Sequence, residues 1–76
     1  MDRTSRILQD LYDSEINFTI AAFWNGGFQI NLGLGDEVNG FDAEGEADNI
    51  VDAVEWLRVE AIEKYPESVF AKTHRR

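Results

Sequence analysis

The stretch FTIAAFWNGGFQINLGLG, residues 18–35, decides the fold because apolar residues alternate with other residues on both sides of a central Asn-Gly-Gly. Alternation with a period of two is typical of a β-strand that buries one face. A glycine-rich triplet between two such runs is typical of a tight turn. The stretch therefore predicts an antiparallel hairpin, with strands over residues 16–24 and 28–34.

The pairing register of this hairpin follows from matching apolar residues, because a shift by one residue would move every side chain to the other face of the sheet. A two-residue turn would place Ile20 opposite the polar Asn31. A three-residue loop over residues 25–27 instead places Trp24 opposite Phe28, and every apolar residue then has an apolar partner. We expect this loop, with the glycine at its end in the left-handed conformation of a bulge.

Helical periodicity is present on both sides of the hairpin. Apolar residues spaced by three and four positions predict one helix over residues 4–14 and another over residues 50–64. The expected N-cap of the first helix is Asp2 or Thr4. Asn49 is the expected N-cap of the second helix, which ends where the following proline interrupts the pattern.

A short third strand is expected over residues 40–44, where Phe41 and Ala43 alternate with acidic residues. The predicted fold class is α+β, with an antiparallel sheet of two or three strands covered on one face by an N-terminal and a C-terminal helix. We expect residues 1–71 to form a single domain. Residues 72–76, KTHRR, are expected to be a disordered basic tail.

The chain is acidic, with a formal net charge of −8 at pH 7 and no cysteine among its 76 residues. The span from Asp36 to Glu63 contains ten acids and a single base, Arg58. Such a surface repels phosphate, so neither a nucleic acid nor an anionic membrane is an expected partner. A basic protein partner, self-association and a merely solubilising role for the charge all stay open. No apolar segment is typical of a signal peptide or a membrane span, which favours a cytoplasmic protein.

The predicted order of elements resembles the α-β-β-β-α topology of double-stranded-RNA-binding domains. That family binds RNA with a basic cluster at the start of its second helix. The matching stretch here is EGEADNIVD, residues 44–52, which contains four acids and no base. The resemblance therefore implies the topology but not RNA binding, since like charges repel.

A second resemblance covers most of the chain. The pattern LGDEVNGFDAEG, followed by NIVDAVEWLRVEAIEKYPESVFA, is similar to small proteins of alphaproteobacterial genomes that have no assigned activity. It implies an α+β fold in a bacterial cytoplasm. A shorter segment with AEG before a helix resembles HicB-type antitoxins, over about ten residues, which are too few to transfer a function.

The sequence contains few residues that could perform catalysis. His74 is the single histidine and lies in the expected tail, away from any predicted nucleophile. Gly33 and Gly35 follow a strand but lack the third glycine and the helix of a phosphate-binding loop. An EF-hand-like frame over residues 35–46 begins with a glycine, which supplies no side-chain oxygen to calcium. We therefore expect that this protein is not an enzyme and that it has no catalytic residue, no metal site and no cofactor.

The residues expected to bind a partner lie mainly on the second predicted helix. With Ile50 at the centre of its buried stripe, Trp56 and Val59 fall away from the core side. Either the segment after the proline folds back to cover Trp56 through Val69 or Phe70, or the indole anchors an interface with acidic surroundings. The expected partner-binding residues are Trp56, Val59, Glu55, Asp52 and, on the outer face of the hairpin, Phe23.

Two classes of function are consistent with this pattern. The first is a small non-enzymatic module for protein–protein interaction. The second is a mimic of nucleic acid, in which the acidic helix occupies the basic groove of a DNA- or RNA-binding protein, as in a phage-encoded or antitoxin-like inhibitor.

Overall fold

The structure is a computed structural model that describes residues 1–35 and 40–75. Its elements, in chain order, are α1 (Arg3–Asp13), β1 (Ile16–Phe23), β2 (Gly27–Leu34), β3 (Ala43–Ala47), α2 (Ile50–Lys64) and α3 (Val69–His74). The strands form one antiparallel sheet in the order β1-β2-β3. The predicted α+β class is therefore confirmed, with a three-stranded sheet.

The hairpin register differs from the predicted one by two residues. Ile20 pairs with Ile30, and the three-residue loop spans residues 24–26, so that Trp24 lies in the turn and has no cross-strand partner. Gly27 has a positive φ of 79°, as expected of a glycine at this bend. A shift of two residues keeps every side chain on its face, so apolar matching alone could not separate the two registers. The observed register pairs Ile16 with Leu34, whereas the predicted register would have placed Asp36 opposite Ile16.

The third strand begins three residues later than predicted and ends at Ala47. Its inward-facing residues, Ala43, Gly45 and Ala47, pair with Leu32, Ile30 and Phe28 of β2. These three residues are small, so they leave room for side chains of α2 between the helix and the sheet. Glu44 and Glu46 alternate with them and face outward.

The core lies between the inner face of the sheet and the helices. The residues of its buried cluster come from five elements and are Ile7, Leu11, Ile16, Ile30, Leu32, Ala53, Val54, Leu57, Ala61 and Phe70. The buried stripe of α2 begins at Ala53, whereas Ile50, the predicted centre of the stripe, is 43% exposed. The stripe is thus formed by the middle of the helix, which packs against β2 and β3.

Side-chain caps define where the helices begin. Asp2 accepts a hydrogen bond from the Ser5 amide at 2.7 Å, so it is the N-cap of α1. Asn49 accepts one from the Asp52 amide at 2.8 Å, and its side-chain amide donates one to the Asp52 carboxylate at 3.0 Å. The cap at Asn49 was predicted, and Asp2 was one of the two residues predicted to cap α1, since short polar side chains favour these positions.

The C-terminal segment forms a third helix where the sequence suggested a disordered tail from residue 72. Its N-cap is Ser68, and Phe70 is fully buried against the core. His74 stacks on Phe70 with 4.3 Å between ring centroids, and its Nε2 lies 2.8 Å from an Asp10 carboxylate oxygen. These contacts join α3 to α1 and stabilise residues that local sequence alone would leave frayed.

Tyr65 ties the end of α2 to the segment before β3, because its hydroxyl donates a hydrogen bond to the Asp42 carboxylate at 2.9 Å. Burial, followed by this contact with a carboxylate, raises the pKa of Tyr65 to about 12. The folded state therefore binds the phenolic proton more tightly than the unfolded state. This contribution to stability is complete below the ordinary pKa of about 10 and is lost as pH rises from there towards 12.

Between pH 10 and 12, ionisation of Tyr65 should lower the free energy of unfolding of the wild-type protein. We expect Tyr65→Phe to remove this part of the pH dependence. At neutral pH the substitution should cost only about 1 kcal/mol, the net value of one hydrogen bond. Urea unfolding across this pH range measures both effects. Tyr12→Phe, the same change at a residue that is 73% exposed, is the control. An unchanged alkaline slope in Tyr65→Phe would contradict the assignment.

Candidate functional site

Four of the five residues predicted to bind a partner line one open groove between β3 and α2. We call it the β3–α2 groove. Its lining residues are Glu46, Ala47, Asp48, Asp52, Glu55, Trp56 and Val59. The fifth predicted residue, Phe23, is 51% exposed at the end of β1 and does not line the groove.

The helical repeat explains why the α2 residues share this groove. Asp52, Glu55, Trp56 and Val59 are spaced by three or four positions, which places them on one side of the helix. The end of β3 and the short link to α2 supply the opposite wall. This wall could not be predicted from the helical pattern, because it depends on where the third strand lies.

Trp56 does not point away from the core as the helical wheel suggested. It is half-buried and packs against the core cluster. A Cβ built on Gly45 would lie 2.6 Å from both Cζ2 and Nε1 of the indole, so the ring rests directly on the glycine of β3. Trp56 is on the flank of the buried stripe, and its length lets the ring reach the sheet.

The tail therefore does not cover Trp56 in the predicted way. Val69, one of the two expected covering residues, is 71% exposed. Phe70 is buried, but its ring stacks on His74. The strand residue Gly45 takes the covering role because it has no side chain of its own.

Two of the acids in the groove are held in fixed positions. Glu55 accepts hydrogen bonds from Arg58, with a Nε–Oε2 distance of 2.9 Å, and pairs with Arg3 at 3.2 Å. The hydrogen bonds from Arg58, followed by that from Arg3, hold the pKa of Glu55 below its usual range despite some burial. Asp52 is held by the N-cap contact with Asn49. Both carboxylates are therefore preorganised, whereas Glu46 and Asp48 are exposed on the opposite wall.

The groove combines an apolar floor with a rim of negative charge. Trp56, Val59 and Ala47 supply the apolar surface, and Val59 is 39% exposed. Four carboxylate side chains surround it. Such a surface suits a partner with an apolar side chain flanked by Lys or Arg, because carboxylates attract these cations and repel phosphate.

Sequence reasoning missed two features of the structure, one at the hairpin tip and one that joins α3 to α1. Trp24 is 97% exposed at the tip of the hairpin, although it was expected to pair across the strands. The contact between His74 and Asp10 was missed because it joins residues 64 positions apart. The spacing of four between Phe70 and His74 is a sequence signal of a helix there.

Within residues 1–35 and 40–75, no group of three or more His, Asp or Glu side chains is placed to hold a metal ion. The EF-hand-like frame and the loop after Gly35 run through residues 36–39, which lie outside the described residues. The helices in the described part of the chain are all too short or too polar to cross a membrane.

Comparison with protein-family models, with curated proteins and with solved structures finds no match to this chain. The case for a function therefore rests on the geometry and charge of the groove.

Proposed function

We propose that this protein is a non-enzymatic protein–protein interaction module that binds a basic partner through the β3–α2 groove. The observation that carries the proposal is the convergence of Asp52, Glu55, Trp56 and Val59 on one groove. The bacterial cytoplasm is the proposed setting, and it rests on the sequence resemblance alone.

The partner's recognition element would be a segment that presents an apolar side chain to Trp56 and Val59, with Lys or Arg on either side. Aromatic residues in partly desolvated positions contribute much of the affinity of many interfaces. The surrounding acids would add association rate and discrimination more than affinity, and their effect falls as salt rises. Glu55 is already paired with Arg58 and Arg3, so the attraction for a partner's Lys or Arg would come mainly from Asp52, Glu46 and Asp48.

The second form that this function could take is mimicry of nucleic acid. The two forms differ in the kind of partner that the groove binds. A mimic would bind a DNA- or RNA-binding protein in competition with its nucleic acid. An ordinary interaction module would bind a basic partner without such competition. A competition assay with a short duplex therefore distinguishes the two, once a partner is identified.

The groove can be tested with a synthetic peptide that alternates lysine and leucine, by calorimetric titration at low salt. We expect the double variant Glu46→Lys, Asp48→Lys to raise the dissociation constant of the peptide at least about tenfold, which is about 1.4 kcal/mol. Both residues are exposed, so the fold should persist. Binding should also weaken with increasing salt, because the attraction is screened.

The matched control is Glu63→Lys with Glu67→Lys, which changes the net charge equally at two exposed residues outside the groove. This control should weaken binding much less. Equal loss in the two double variants would show that the peptide responds only to net charge, and would overturn the groove as the binding site.

A further inference from the structure

β1 lies at an edge of the sheet, and its eight residues, INFTIAAF, carry no charge. The opposite edge strand, β3, has five residues and exposes Glu44 and Glu46. Charges and short length normally protect an edge from pairing with another chain. The edge at β3 has both protections, whereas the edge at β1 has neither. The absence of charge from β1 stands out because the whole chain has a net charge of −8.

The main-chain groups of β1 that point away from β2 can be identified from the hairpin turn. The Phe23 carbonyl accepts a hydrogen bond from the Gly26 amide at 2.9 Å, so it points towards β2. Main-chain groups of successive residues in a strand point to opposite sides. The N–H and C=O groups of Phe18, Ile20 and Ala22 therefore point away from β2, towards the open edge.

The two ends of this edge have complementary shapes. At one end, Trp24 projects from the hairpin tip with 97% of its surface exposed. At the other end lies a cavity of about 390 Å³, lined by Tyr12, Ile16, Asn17, Phe18, Gly40 and Phe41. Most of its lining is apolar or aromatic, and Tyr12 and Phe41 are themselves exposed. An indole is an appropriate occupant for such a cavity.

We propose that a second copy of this chain pairs antiparallel with β1, about a twofold axis at Ile20, to form a continuous six-stranded sheet. In this register Ile20 lies opposite Ile20 of the second copy, and Phe18 lies opposite the second copy's Ala22. Trp24 then lies opposite the second copy's Ile16, at the cavity. An antiparallel arrangement brings each hairpin tip to the cavity of the other copy, so the same contact between Trp24 and a cavity forms twice.

The self-complementarity of the strand is the reason for choosing a second copy over another protein. Antiparallel pairing of β1 with itself places only uncharged residues opposite one another. The acidic β3–α2 groove lies at the opposite edge of the sheet, beside β3, and remains accessible when two copies pair through β1. This inference therefore uses a different surface from the proposed function and does not depend on it.

The oligomeric state is tested by sedimentation equilibrium of the full chain, over concentrations up to about 1 mM, a range that detects dissociation constants up to about 1 mM. We expect a monomer–dimer equilibrium that shifts towards dimer as salt is raised, because salt screens the repulsion between two copies of charge −8. Binding of a basic peptide to the groove responds to salt in the opposite direction, so the two proposals can fail separately. A monomer at every concentration and salt would overturn the dimer.

Two variants test the edge and the tip. Trp24→Ala removes a side chain that is almost fully exposed, so the monomer should remain folded while the dissociation constant rises at least about tenfold. Thr19→Lys places a charge on the edge strand and should have a similar effect. Its control is Gln29→Lys, which adds the same charge to the same face on the central strand. A dimer equally weakened by Thr19→Lys and Gln29→Lys would contradict pairing through β1.

Hydrogen exchange locates the contact in the wild-type protein. We expect the amides of Phe18, Ile20 and Ala22 to gain protection as concentration rises, because their N–H groups become paired. The intervening amides of Thr19 and Ala21 already bond to β2 and should change less. A dimer in which these three amides stay unprotected would place the interface elsewhere and overturn the proposal.

Discussion

Phe70→Ala is expected to lower the free energy of unfolding by about 3–5 kcal/mol, the usual cost of removing a buried aromatic ring. Phe70 is 0% exposed and is among the largest fully buried side chains of the described chain. A domain of this size buries a small core, so this loss is a large fraction of its total stability. The variant should be partly unfolded at 25 °C.

The neighbouring residue provides a matched control for this prediction. Val69 is in the same turn of α3 but is 71% exposed, so Val69→Ala should change stability by less than about 0.5 kcal/mol. Urea unfolding followed by circular dichroism measures both variants. If Phe70→Ala unfolded at the same urea concentration as Val69→Ala, the packing of α3 on the core would be refuted.

Gly45→Ala is expected to destabilise the protein by about 1–3 kcal/mol, as overpacking does. The added methyl group would overlap the indole of Trp56, which would have to leave the sheet. Alanine is otherwise favoured over glycine in a strand by about 0.5–1 kcal/mol. The sign of the effect therefore depends on the contact with Trp56.

A double-mutant cycle isolates this contact. In a Trp56→Ala background the methyl group has room, so Gly45→Ala should be neutral or slightly stabilising. The coupling between the two positions should therefore exceed about 1 kcal/mol, which urea unfolding of the four proteins can measure. Equal effects of Gly45→Ala in both backgrounds would mean that the indole does not rest on Gly45, and the groove would lose its apolar floor.

Local patterns in the sequence were sufficient for α1, the hairpin and α2, and for which side chains share one side of α2. The alternation around Asn25 predicted the hairpin, and the caps at Asp2 and Asn49 marked where the helices begin. The spacing of Asp52, Glu55, Trp56 and Val59 placed them on one side of α2. These features depend on residues within about one turn of helix or one strand pair, where a period of 3.6 or 2 determines which side chains share a face.

Other features depended on contacts between distant parts of the chain. Two registers of the hairpin satisfied the same alternation, and the pairing of Ile16 with Leu34 distinguished them. The position of β3 determined that Gly45, and not the C-terminal segment, receives the indole of Trp56. Phe70 was predicted as one of two residues that could cover Trp56, but it is fully buried and makes α3 part of the core.

The sequence by itself thus determined the α+β class, the antiparallel hairpin, the N-cap of α2 and the acidic face of α2. Only the tertiary structure decided the hairpin register, the orientation of Trp56 and the helix over Val69–His74. The physical reason is that periodicity specifies which face of an element is apolar, but not which partner covers that face. The partner is selected by packing, as when the absence of a side chain at Gly45 leaves space for the ring of Trp56.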